Sequence, residues 1–412
     1  MARVLTKKII MEEIKGCFDY FWNESGEEGK TGYGLTLDKV FLNKENDDLS
    51  SIASIGFALA GYVIGAERGF VSFDDACKRT FKTLETLLKI ENFHGFLPHF
   101  IYQKNAKSNG SEFSTIDTAI LFMGAVTAGE YFKGEVLDLS NKLINRADWL
   151  HFLKDNKGKK QLIMAYSNKY WGENGGYSPA CWDHYAEQLM IYLLIGGRCD
   201  IDERIALELF NGFNRNIGHY KGDDFVYCFA NPLFIHQFTH CFFDFRKYLD
   251  SNGYDWFKNS VDATIANRRY CMDQKWSKSF NKDSWGLSAF QGKNRYMVLG
   301  SPPQGFEGIE CKQHLEGYVA PYAALSSICF TPKESIKALR YFNKIDGLKQ
   351  KYGYTDCYNL DINYISDCYI GIDKGPTMIM LDNYLYGTTW KNFTKSSICQ
   401  NAIKRLKFIN RE

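Results

Sequence analysis

Two stretches of this chain are apolar on every helical face. SIASIGFALAGYVIGA starts at Ser51, and EQLMIYLLIGG starts at Glu187. A helix without a polar stripe must be covered on more than one side. Other segments keep one polar face, among them SFDDACKRTFKTLETLL from Ser72. Helices of the first kind need a jacket of the second. An inner ring of buried helices inside an outer amphipathic ring is an α/α barrel. The expectation is therefore an all-α fold, an (α/α)6 barrel of six helical hairpins, forming a single domain over residues 1–412.

Helical periodicity marks segments near 5–23, 51–66, 72–91, 114–133, 137–154, 182–196, 201–213, 232–250, 254–273, 318–329, 333–345, 375–386 and 395–408. Their ends are well punctuated. Ser72 and Asp75 form a capping pair, as do Ser114 and Asp117. Gly196-Gly197 closes one helix, and Pro332 opens another at its first position. Between them run long stretches rich in Gly, Asn, Asp, Pro and aromatics, at 23–48, 93–112, 155–181, 214–231, 274–317 and 346–374. Loops of this length in a compact domain usually carry function. On a barrel they would gather at one rim and build a cleft.

Bulk composition removes several function classes. With 50 basic and 48 acidic residues the net charge is +2, which leaves no electrostatic footprint for nucleic acid or an anionic membrane. No apolar run reaches membrane-spanning length. None of the 12 cysteines forms a C-x-x-C pair, and Cys271 and Cys311 stand apart from any Cys/His cluster. The start, MARVLTKKIIMEEIKG, has no apolar signal core and reads as an amphipathic helix. These features point to a cytoplasmic monomer with reduced thiols. A leader removed from the chain would place it in the periplasm or outside the cell.

The loops hold acids, aromatics, His, Arg and Asn, but no Walker loop, dinucleotide fingerprint or nucleophile elbow. Two carboxylates across an aromatic cleft can hydrolyse a glycosidic bond without a cofactor or metal. Glu187 stands at the mouth of an apolar helix, where desolvation would keep it protonated, as a general acid requires. Glu112 lies in a loop just before the Ser114 cap and reads equally as a solvated acid. Asp117 is the capping acid and is held rigidly by that role. Asp373 precedes Gly375-Pro376 and reads as an N-cap or a catalyst, and Glu316 and His314 stand likewise before a small-residue helix. His236, His240 and Asp244 share one helical face. Without the Glu of H-E-x-x-H, they read as core or cleft wall rather than as a metal site.

In order along the chain, FDYFWNE, SIASIGFALAGYVIGAERGFVS, HGFLPHF, EFSTIDTAIL, YAEQLMIYLLIGG, PLFIHQFTHCFFDFR, ANRRYC, WGLSAFQG, EGYVAPYAALSSICFTPKESIKALRYF and GIDKGP resemble the glycoamylase-like domain family. That group includes the bacterial β-1,2-glucanases of glycoside hydrolase family 144. The resemblance implies an (α/α)6 barrel and metal-free, inverting hydrolysis of a β-glucan, with β-1,2-linked glucan or its oligosaccharides as substrate. It implies Glu187 and Glu112 as cleft acids with Asp117 beside them, and Asp373 and Glu316 on the opposite wall. Two positions depart from the family pattern. EGYVAP stands where an Asp-Gly-Thr is usual, and Leu385 stands where an Arg is usual.

The resulting assignment makes Glu187 the proton donor and one of Glu112, Asp117 and Asp373 the base. Tyr33, Trp171, Trp182, Tyr185, Trp285 and Tyr318 are candidates to stack on sugar rings. Arg68, His99, His236, His240, Arg268 and Glu316 are candidates to hydrogen-bond hydroxyls. Three further readings remain open: a carbohydrate-binding protein without turnover, a glucan transglycosylase, and an epimerase using His236 or His240 as base.

Overall fold

The computed structural model describes residues 2–305 and 313–411, so Cys311 lies outside the described residues. Among the described residues fourteen α-helices dominate. They are α1 (Ala2–Asn23), α2 (Ile52–Arg68), α3 (Phe73–Lys89), α4 (Thr115–Phe132), α5 (Gly134–Asn145), α6 (Leu189–Gly197) and α7 (Glu203–Asn211). The rest are α8 (Phe238–Phe242), α9 (Trp256–Asp273), α10 (Pro321–Ser326), α11 (Pro332–Phe342), α12 (Gly371–Leu385), α13 (Thr388–Lys395) and α14 (Ser397–Arg405).

Burial alternates along this order. Every residue of α6, α8 and α10 is buried, as are most of α2, α4 and α12. The odd-numbered helices α3, α5, α7 and α11 bury only one face. The apolar runs at Ser51 and Glu187 are thus inner helices, and they pack on one another in the order α10, α12, α2, α4, α6. The chain enters each inner helix at one end of the molecule and leaves at the other. Ser51, Ser114, Gln188 and Asp373 therefore share one end.

The helix α2 packs most intimately on α4. A Cβ on Gly124 would lie 1.9 Å from the Gly56 carbonyl oxygen, and one on Gly56 would lie 2.5 Å from that of Ile120. Two backbones meet there with no side chain between them. Gly124→Ala is expected to cost about 1–3 kcal/mol, as overpacking does. Urea unfolding checks this, and a midpoint equal to the parent's would refute the contact.

The helices dominate as expected, and the long loops between them are not shapeless. The long loops fold into small antiparallel sheets of two or three strands. Strands of two to four residues are too short to show a period in sequence. One of these sheets joins Phe113–Ser114, Ala165–Ser167 and Gly176–Tyr177. The segment 232–250, read as one helix, breaks into a 3-10 turn at Leu233–His236, the short α8, and a second 3-10 turn at Phe245–Lys247. Among the described residues no helix is long and apolar enough to cross a membrane.

Candidate active site

The end of the molecule where the inner helices begin collects the acids. Ser114 caps α4 as its sequence demands. Its hydroxyl accepts from the Asp117 amide at 3.2 Å and donates to Asp117 Oδ2 at 2.6 Å. The other oxygen, Oδ1, is left facing His99 Nε2 at 3.6 Å. The opposite ring nitrogen of His99 lies 2.9 Å from Glu112 Oε1. Burial works against a charge on His99, but Asp117, then Glu112 and Asp38, outweigh it and push the imidazole up to about 9. It is a cation at neutral pH. Burial raises Glu112, yet the hydrogen bond and charge of His99 prevail and hold it below the usual carboxylate range.

Glu187 sits in the turn just ahead of α6. That turn is tied down by Gln188, whose side chain accepts from the Ala186 amide at 2.7 Å and donates to the His184 carbonyl at 2.8 Å. The Thr239 hydroxyl donates to the Glu187 carbonyl at 3.1 Å. Trp182 joins this segment to α4 through its indole N–H on Thr115, 3.0 Å away. No such clamp acts on the Glu187 carboxyl. Burial pushes it up to about 7, with a smaller upward push from Asp117 and some relief from its own backbone N–H. A carboxyl that keeps its proton near neutrality has the property a general acid requires.

Asp373 is not an N-cap. The helix α12 begins earlier, at Gly371, and Asp373 lies within its first turn, 2% exposed. Neither of its carboxylate oxygens has a partner of good hydrogen-bond geometry among the described residues, but Asp356 and the Tyr322 hydroxyl stand near enough to act on it. Its neighbour is Asp356, also buried, which accepts from the Gln291 amide. Burial first, and then the Asp356 charge, drives Asp373 well above its ordinary value. Burial raises Asp356 to about 6. Two buried carboxyls this close hold a proton between them. Asp38 lies between the groups, near enough for its charge to act on both His99 and Asp373. The sequence reading missed Asp38 and Asp356. Both lie, like Glu112, inside long loops, where no helical or strand period marks which acids turn inward.

The proposed binding residues divide. Trp171 is 44% exposed at the tip of the hairpin whose strands are 165–167 and 176–177, and that hairpin flanks Phe113, the residue after Glu112. It suits a sugar face. Glu316 pairs with Arg295 at 2.7 Å, and with Tyr318 it borders a hollow beside Tyr270 and Trp276.

Other placements correct the expectation. Arg68 ends α2, far from Ser51, because seventeen residues span about 25 Å. There it lies over the Tyr386 ring and pairs with Asp382 at 3.5 Å. Trp285 is fully buried, and Trp182 and Tyr185 nearly so, which leaves no ring face for a sugar. Tyr185 stacks on Trp256 and meets His236 Nδ1 at 3.3 Å, supporting the Glu187 turn from below. His236 also meets Asn231, and His240 meets Ser260 among Phe245, Phe257 and Phe330. Burial lowers both histidines to about 3. Enclosed and already partnered, they give an epimerase no base. Tyr33 lies against Arg79 and Lys82 of α3, and Arg268 of α9 donates to the Lys282 carbonyl. Neither touches the acids.

A family model described as "Glycoamylase: Putative glucoamylase" matches residues 179–397, just over half of the 412 residues. The chain belongs to the glycoamylase family. Within it, the glycoamylase fold described here resembles a structure of the same description from Bacteroides uniformis, with 26% identity, a TM-score of 0.84 and 98% of each chain covered. An endo-β-1,2-glucanase from Chitinophaga pinensis, in complex with sophorotriose and glucose, shares the fold at a TM-score of 0.85 and 23% identity, over 98% of both chains. An exo β-1,2-glucooligosaccharide sophorohydrolase (non-reducing end) of Parabacteroides distasonis is 26% identical over 435 residues. That match covers 95% of this glycoamylase chain but only 57% of the relative's length.

Proposed function

We propose that this protein is a glycoside hydrolase that cleaves β-1,2-linked glucose oligosaccharides by acid/base catalysis with inversion. The observation that carries the reading is the place of Glu187, buried just ahead of α6 and near enough to Asp117 for that charge to act on it, so that its proton is held up to about pH 7. Glu187 would protonate the glycosidic oxygen as the bond to the anomeric carbon breaks. A water would attack that carbon from the opposite face, giving up its proton to the base. Glu112 is a weak base, because His99 lowers its proton affinity, and Asp117 is held by Ser114 and His99. The Asp373–Asp356 pair has the higher proton affinity, so whenever Asp373 is ionised it is the stronger acceptor.

The substrate linkage follows from the relatives' named substrates together with this site. The alternation of buried and amphipathic helices, six of each before α13, supports a closed (α/α)6 barrel as one domain. The acids then line its mouth, and Trp171 lies at the rim. The test is incubation with linear β-1,2-, β-1,3- and β-1,4-glucan oligosaccharides and with α-glucans, following reducing ends and the anomer first formed. Release from the β-1,2 series alone, with the α-anomer appearing first, is expected. Saturable binding without release would favour the non-catalytic reading, and a first-formed β-anomer would exclude inversion.

A further inference from the structure

Outside the acid cluster, three potential metal ligands from two separate loops converge. One donor atom each from His94, Asp148 and His151 lies within 4.8 Å of the other two. Each is fixed by its backbone. His94 and Gly95 form the tight turn between Phe93 and Phe96, whose amides and carbonyls pair at 2.9 Å in both directions. Both turn residues have positive φ, 49° at His94 and 87° at Gly95. A Cβ on Gly95 would meet the Arg146 carbonyl at 2.2 Å, so the turn is pressed against the chain that leads to Asp148. The Asp148 amide then donates to the His94 carbonyl at 2.9 Å. Asp148 and His151 stand three residues apart, with Asp148 opening the 3-10 turn Trp149–Phe152 that the buried Trp149 and Phe152 anchor.

The side chains are less settled than the backbone. Asp148 holds the cap position of its 3-10 turn, yet its carboxylate does not cap it. The His94 and His151 rings stack face to face with centroids 3.4 Å apart. Two imidazolium rings would repel at that separation, so the arrangement suits neutral rings, the form that binds metal. The Tyr177 hydroxyl meets His151 Nε2 and fixes that ring from outside, as supporting groups do around metal-bound histidines. A left-handed histidine at the first position of a tight turn is a costly choice when Asn or Gly would serve.

We propose that His94, Asp148 and His151 bind one divalent transition-metal ion of the zinc type. Two imidazoles and one carboxylate match zinc and its neighbours rather than calcium or magnesium, which take oxygen ligands. Tetrahedral donors around zinc stand about 3.4 Å apart. The present donors reach that spacing by opening the two rings out of their stack and rotating the free carboxylate inward. Water completes the shell on this exposed face. The ion would join the turn at 93–96 to the 3-10 turn, behind the hairpin that carries Tyr177 and Trp171. This proposal is independent of the hydrolytic reading.

The experiment uses tag-free, full-length protein stripped with a chelator and titrated with zinc chloride by calorimetry, with metal analysis after dialysis. One equivalent per chain is expected. Asp148→Asn keeps shape and removes charge on an exposed side chain, and should weaken binding at least about tenfold. The pair His94→Asn and His151→Gln, in which Asn tolerates the left-handed backbone, should abolish saturable binding at unchanged circular dichroism. Absence of a stoichiometric site in the parent would overturn the proposal. So would undiminished binding in the double variant, which would assign the ion to His184–Asp183 or His219–Asp224.

Discussion

Glu187→Gln is expected to lower kcat on β-1,2-linked oligosaccharides by about 10²–10⁴-fold, the usual contribution of a general acid. The amide keeps the shape and the hydrogen-bonding capacity of the carboxyl but cannot deliver a proton. The turn around it is held by Gln188, Thr239 and Trp182, none of which contacts the carboxyl, so the fold should survive. The parent's rate should fall as pH rises through about 7, where Glu187 loses its proton. Stability moves in a linked way. A folded-state value above the ordinary 4.5 means that folding favours the protonated form. That contribution is complete below pH about 4.5 and is lost as pH rises through about 7. The Gln variant, which never ionises, should therefore be at least as stable as the parent at pH 8. Parent-like turnover in the variant, or a parent rate that stays flat to pH 9, would remove Glu187 from the role of acid.

Asp373→Asn should cause a loss of similar size, about 10²–10⁴-fold, because with Glu187 assigned as donor the raised proton affinity of Asp373 suits it to the acceptor's role. Asp356→Asn separates position from chemistry. It leaves Asp373 in place and removes the neighbouring charge that raises it. Burial still raises Asp373, but less in total, so the acid limb of the kcat profile should move to lower pH while substantial activity remains. Steady-state rates across pH distinguish the two variants. Equal and complete loss in both, with no displaced limb, would show that Asp356 itself reacts. Full activity in Asp373→Asn would return the base to Glu112 or Asp117.

Much of this arrangement was legible before any coordinates. The run from Ser51 could only be an inner helix, because no face of it tolerates water. The Ser114–Asp117 cap was readable from spacing, since a capping box is a local device that needs no tertiary partner. The raised proton affinity of Glu187 followed from its position beside MIYLLI.

What escaped had other causes. Asp373 looked like a cap because Gly375-Pro376 resembles a helix start, yet packing extends α12 back to Gly371. The α8 region has helical periodicity, but its aromatics are buried all round, and tertiary contacts break it into three short turns. The helix α13 opens with two β-branched threonines after Gly387 and gave no start signal. Trp285 and Tyr185 were chosen as aromatics near polar loops. Side-chain direction, which composition does not encode, sends both inward.

The hairpin bearing Trp171 rests on a strand beside Glu112, and its acid, Glu173, is exposed. On the proposed hydrolytic reading, proton transfer falls to the starts of buried helices, and contact with distant sugar units to a protruding ribbon. Lengthening, shortening or exchanging that ribbon would change how many glucose units the protein accepts while leaving its chemical step intact. A descendant with a different preferred chain length can therefore arise through insertions between Ser167 and Gly176 alone.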